Sequence, residues 1–158
     1  MEDQNNPLER MKNLDNVLDE YEHSAGLSKY IENKFNDVEK YLEMSKVEMN
    51  ALSLEECSQI AIILGSFALH IQRTYNREIA RINWAENTIR KMISGKEKQY
   101  QGSWESQYYQ AIKESPYASD LLKLKTYAQQ RADRLTYLAS SIKHISDLFI
   151  NLQRVKMK

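Results

Sequence analysis

Residues that turn or stop a chain are scarce in this sequence, with four glycines and two prolines in 158 residues. That scarcity excludes the many-turned all-β folds and leaves long uninterrupted elements, so the expected class is all-α. Cysteine is nearly absent. Cys57 alone cannot form an internal disulfide, and no Cys/His cluster has zinc-site spacing. The expected setting is therefore a reducing, cytoplasmic one, with no metal and no other cofactor. Long apolar runs are missing too. The longest, around residues 60–64, falls far short of the roughly 20 residues of a membrane span. The acidic start Met1-Glu-Asp-Gln is unlike a signal peptide, so neither secretion nor membrane insertion is expected. Signatures of catalysis are absent as well: no Gly-rich phosphate loop, no His-Glu-x-x-His, no Gly-x-Ser-x-Gly and no Glu-x-x-His pair. His23, His70 and His144 stand alone, and an enzyme is not expected.

What is present is helical periodicity. Asn6-Pro7 reads as a cap followed by proline at the first helical position, with Leu8, Met11, Leu14, Leu18 and Tyr21 recurring at threes and fours up to Gly26. Ser28 caps a second expected helix with the stripe Ile31, Phe35, Val38, Leu42 and Met49. Ser53-Leu-Glu-Glu56 is a capping box that opens a third helix, uninterrupted to Gly95 and on the order of 60 Å long. A Lys/Tyr/Trp-rich connector near 95–115 contains a short helix from about Trp104 to Glu114. Ser115-Pro116 then starts a last helix with no stop before about Arg154. The expected organisation is acidic N-terminal helices over 1–52 and a long antiparallel helical hairpin over 53–158.

Two heptad stripes support the hairpin. One runs Cys57, Ala61, Leu64, Ala68, Ile71, Tyr75, Glu78, Ile82, Ala85, Ile89, Met92. The other runs Tyr117, Leu121, Leu124, Ala128, Arg131, Leu135, Leu138, Ile142, Ile145, Phe149, Leu152. Each carries one charge. Facing Glu78 with Arg131 also faces Leu64 with Ile145, Ile71 with Leu138 and Ala85 with Leu124, and sets small Ala61 against large Phe149. A one-heptad slip would bury a lone carboxylate at roughly 3–5 kcal/mol, so the pair is expected to set register more than to add stability. In the competing arrangement Arg131 snorkels to the edge and Glu78 faces another subunit.

The equal totals of 22 basic and 22 acidic residues hide a division. Residues 1–60 carry 14 acidic and six basic side chains, and residues 61–158 carry 16 basic and eight acidic ones. At about 100° per residue, Arg73, Arg77, Arg81, Trp84 and Lys91 gather on one side of the third helix, away from its seam. Cations at that pitch can neutralise successive phosphates, and an aromatic among them can stack on a base. A solvated helix face shows the same pattern. Lys96, Lys98, Tyr100, Trp104, Tyr108, Tyr109 and Lys113 of the connector have the composition of a single-strand-binding surface, and also that of aromatics packing the connector onto its neighbours.

Leu69-His-Ile-Gln-Arg-Thr-Tyr75, Lys91 with the connector, Ala118-Ser-Asp-Leu-Leu-Lys-Leu124 and Leu135-Thr-Tyr-Leu-Ala-Ser-Ser-Ile-Lys143 together resemble the UvsY-type recombination mediators of tailed phages. The resemblance covers a little over half the chain. It implies a small, all-helical, ring-forming homo-oligomer in the host cytoplasm that binds single-stranded DNA and loads a recombinase in place of a single-strand binding protein. By the same resemblance, Arg73, Arg77, Arg81, Lys91, Lys96 and Lys98 occupy DNA-binding positions.

Two functions are open at this point. One is a non-enzymatic single-stranded-DNA-binding recombination accessory protein, with the acidic N-terminal part touching a partner or shielding the basic stripe. The other is a helical interaction module, such as a phage adaptor, inhibitor or assembly factor, whose basic face meets an acidic partner.

Overall fold

The computed structural model describes residues 6–25, 37–95 and 100–158. Among them every regular element is a helix: α1 (Pro7–Ser24), α2 (Val38–Leu42), α3 (Lys46–Ala51), α4 (Leu54–Ser94), α5 (Trp104–Glu114), α6 (Pro116–Leu135) and α7 (Leu138–Lys156). The all-α class holds.

Three helix starts, at Asn6, Ser53 and Ser115, are built by the side chains that marked them in sequence. The Asn6 side chain accepts from the Leu8 amide, with Pro7 in the first turn. Ser53 and Glu56 form a reciprocal capping box at the start of α4, at 3.2 and 2.7 Å. The Ser53 backbone and hydroxyl together hold the Glu56 carboxyl below its usual range. Gly102, at φ 98°, turns the chain so that Ser103 caps α5.

Two expected helices differ. The single helix expected from Ser28 to Met49 is interrupted over its described part, because Ser45 and Glu48 form a second capping box that starts α3 after α2 has ended. Gly26, Ser28, Ile31 and Phe35 lie outside the described residues. The last helix, expected to be continuous, breaks at Thr136 and Tyr137, where Tyr137 adopts φ 64°, ψ −8°. Leu138, just after the break, is exposed and does not join the cluster that holds its expected partner Ile71. A left-handed conformation costs an L-residue roughly 1–2 kcal/mol, and Tyr137 is 82% exposed, so its ring recovers little by packing. Tyr137→Gly is therefore expected to raise stability by about 0.5–1 kcal/mol. An unchanged or lower urea midpoint would count against strain at this turn.

The chain divides into two compact units. One comprises Lys29–Tyr75 with Arg134–Lys158. Its core joins Ile60, Ala61, Leu64, Ala68 and Ile71 of α4 to Ile142 and Phe149 of α7 and to Val38 of α2. The buried Ser146 hydroxyl donates to the Ala61 carbonyl at 2.7 Å, and Gln153 donates to the Ser58 hydroxyl. Lys156 reaches the carbonyls of Met49, Asn50 and Leu52, satisfying the open carboxyl end of α3 with a cation.

The other unit comprises Met1–Ser28 with Asn76–Asp133. Its core joins Ala85, Ile89 and Ile93 of α4 to Tyr100, Ala111 of α5 and Leu121 of α6. On α6 the fully buried residues are Ala118, Leu121, Ala128 and Ala132, whereas Tyr117, Leu124 and Arg131 of the expected seam are not. The inward face keeps Leu121 and Ala128 of the expected stripe and adds Ala118 and Ala132, which leaves Arg131 at its edge. On α1 the inward residues are Pro7, Met11, Leu14 and Leu18, while Leu8 and Tyr21 of the expected stripe are exposed.

By length and composition alone α4 could cross a membrane, since an 18-residue window has mean hydropathy 1.3. Small residues such as Gly65 and Ser66 shorten the uninterrupted run without lowering that average much. The core helix of a soluble protein meets the same measure.

Candidate nucleic-acid interface

The basic stripe of α4 is not bare. Arg77 is paired with both Asp19 and Glu22 of α1, its Nη2 lying 3.0 Å from Glu22 Oε2. Arg81 grips Asp15 with two parallel bonds, Nε to Oδ1 at 3.0 Å and Nη2 to Oδ2 at 2.7 Å. Its remaining Nη1 donates to Glu78 Oε1 at 2.6 Å. The Glu22 hydrogen bond raises the Arg77 pKa and the Asp15 hydrogen bond that of Arg81, each against a lowering by burial. At Arg77 and Arg81 the acidic helix α1 lies on the stripe. Arg73, in the other unit, is half-buried and makes no ion pair among the described residues.

Glu78 is 4% exposed. Arg131 Nη2 lies 3.0 Å from Glu78 Oε2, although the two are not aligned for a hydrogen bond, so Oε2 has a charged neighbour but no donor. The structure brings the two stripe charges together, with Arg131 reaching in from the edge at 47% side-chain exposure. Sequence reasoning missed Arg81, the better-aligned partner of Glu78. Its three-residue spacing from Glu78 was the available signal.

Two expected stacking residues belong to the core. Tyr100 is 3% exposed, packed with Ile89, Ile93 and Leu121, and cannot stack on a base. Trp84 is half-buried against the same cluster. Lys96 and Lys98 lie outside the described residues.

The open part of this unit is a groove lined by Asn87, Arg90, Lys91, Ser94 and Trp104. Trp104 is 44% exposed. The Arg90 guanidinium sits 5.4 Å from the centroid of its ring, a cation–π contact, while Arg90 Nε donates to Glu86 at 3.1 Å. Glu86 also accepts from Lys125 at 2.6 Å and from the Tyr108 hydroxyl at 3.2 Å. Burial opposes ionisation of Glu86, yet the Lys125 and Arg90 hydrogen bonds outweigh it and hold the carboxyl below its usual range. Lys91, beside this network, is exposed and forms no ion pair among the described residues. Arg90, Lys125 and Glu86 were not anticipated as site residues. The four-residue spacing of Glu86 and Arg90 was legible, but the approach of Lys125 was not.

No family model, curated protein or solved structure matches the chain. What the groove can do follows from its own residues: an indole face for stacking, a free ammonium and a half-neutralised guanidinium for phosphate, and the amide and hydroxyl of Asn87 and Ser94 for hydrogen bonds. Among the described residues no group of three or more His, Cys, Asp or Glu side chains is placed to hold a metal ion.

Proposed function

We propose that the chain is a non-enzymatic, cytoplasmic single-stranded-DNA-binding accessory protein of the recombination-mediator kind. The observation that carries this reading is the exposed Trp104 ring at an open groove beside Arg90 and Lys91. Stacking on an aromatic with cations alongside accepts any base, because every base has a π face. The scaffold in this reading is an antiparallel hairpin of α4 with α6 and α7. It is supported within each unit by partners whose numbers fall as those of α4 rise: Glu78 with Arg131 and Glu86 with Lys125 in one, Ser58 with Gln153 and Ala61 with Ser146 in the other. Self-association, and a recombinase or single-strand binding protein as partner, rest on the resemblance to UvsY-type mediators.

The test is a titration of a fluorescently labelled oligonucleotide at low salt followed by its anisotropy. Trp104→Ala is expected to weaken binding about fivefold to 150-fold, the equivalent of about 1–3 kcal/mol per stacked base. Lys91→Gln is expected to flatten the dependence of log K on log salt by about 0.7. Unchanged affinity in both variants would overturn the reading.

One observation favours the interaction module instead: an acidic helix, α1, already docks on Arg77 and Arg81. Capture of a partner that survives nuclease treatment would support it.

A further inference from the structure

Asp15, Asp19 and Glu22 stand at i, i+4 and i+7, so α1 presents three carboxylates along one face with steps of roughly 4.5–6 Å. That is comparable to the step between successive phosphates of an extended single strand. These carboxylates meet Arg77 and Arg81, the two arginines of this unit whose pitch suits a phosphate backbone. Beyond these ion pairs α1 packs through Pro7 and the half-buried Met11, Leu14 and Leu18. Pro7 is its sole buried residue, and neither hydrophobic cluster includes a residue of α1. Leu8, Val17 and Tyr21 face solvent, and Arg10 donates to the Tyr117 hydroxyl at 2.9 Å. Ion pairs between partly exposed groups are weak and are screened by salt.

Arg81 is anchored independently of α1. Its Nη1 is held by buried Glu78, while the edge formed by Nε and Nη2 is the one that α1 occupies. Departure of Asp15 would leave that edge free and still oriented, as a planar fork suited to two phosphate oxygens.

We propose that the α4 face carrying Arg77 and Arg81 is a latent binding surface for the backbone of single-stranded DNA, and that α1 occupies it as an internal stand-in for the strand. The chain then binds first through what is open and gains this surface when α1 is displaced. The inference rests on the reading of the chain as a single-strand binder, but not on the Trp104 groove.

The full-length chain with Asp15→Asn, Asp19→Asn and Glu22→Gln tests it against wild type. Two freed arginines are expected to steepen the salt dependence by about 1.4, at about 0.7 per phosphate contact on a single strand. The affinity ratio of variant to wild type should then grow about sevenfold between 200 and 50 mM salt. Adding Arg77→Gln to the triple variant removes about half of the added slope. Glu9→Gln with Glu20→Gln, on the exposed side of α1, leaves the slope at its wild-type value. Circular dichroism establishes that each variant is folded. In wild type, saturation with oligonucleotide should speed amide exchange across residues 7–24.

A triple variant that binds no more steeply than wild type, or α1 amides that stay protected at saturation, overturns the proposal while leaving the groove reading intact. A wild-type chain that binds nothing, beside a triple variant that binds through Arg77, supports the proposal and removes the groove reading. Absence of binding by both proteins removes the two together.

Discussion

Replacing Phe149 with alanine is expected to destabilise the chain by about 3–5 kcal/mol, the range for truncating a fully buried aromatic ring. Phe149 is 1% exposed and, among the described residues, is the largest of the fully buried side chains. Its cluster includes Ala61 and Ala68, whose methyl groups cannot lengthen to fill the space the ring leaves. Alongside it, the Ser146 hydroxyl is tied to the Ala61 carbonyl, which fixes the spacing of α7 from α4 and resists collapse into the cavity. For a chain of this length the loss corresponds to a fall in melting temperature on the order of 10 °C. The adjacent Leu148 is exposed, and its replacement with alanine should stay within about 0.5 kcal/mol. Thermal and urea melts of the two variants check the contrast. Equal, small losses would mean that the buried face of α7 is assigned wrongly.

The assignment of that face shows where the sequence was readable. Short-range chemistry carried through: Asn6, Ser53 and Ser115 each mark the start of a helix because a cap needs only a side-chain oxygen and an amide two or three residues on. The break at Tyr137 had no such mark. Leu135-Thr-Tyr-Leu138 contains neither glycine nor proline, and its apolar spacing continues through the turn, so no residue there calls for the left-handed conformation that Tyr137 adopts. The site divides along the same line. The basic stripe and the acidic excess of the first 60 residues are both plain in the sequence, but their meeting is a contact between Arg77 and Asp19 and between Arg81 and Asp15, tens of residues apart. The connector shows a further limit. Tyr100 and Trp104 have the same composition around them, yet one is in the core and the other at the surface, because aromatics beside lysines serve packing and stacking alike.

Glu78 gives the second large effect, and its sign depends on which partner is removed. Arg81→Met is expected to cost about 3–5 kcal/mol, because it strands a buried carboxylate. Glu78 Oε1 loses its 2.6 Å donor, and Oε2 keeps only the misaligned Arg131. Arg131→Met should cost no more than about 1 kcal/mol, since that side chain is half-exposed and makes no aligned bond to Glu78. Glu78→Leu removes the desolvated charge itself and leaves Arg81 its two bonds to Asp15, so it is expected to be neutral or stabilising by about 1–4 kcal/mol. The double variant Glu78→Leu with Arg81→Met should then recover most of what Arg81→Met alone loses, a coupling that a double-mutant cycle of urea midpoints measures directly. If Glu78 instead contributes net stability, Glu78→Leu falls with Arg81→Met and no recovery is seen. A stable Glu78→Leu would locate the use of this carboxylate in specificity: without it α6 can slide along α4 at little cost, and the amide spectrum should split into more than one set of peaks where wild type shows one.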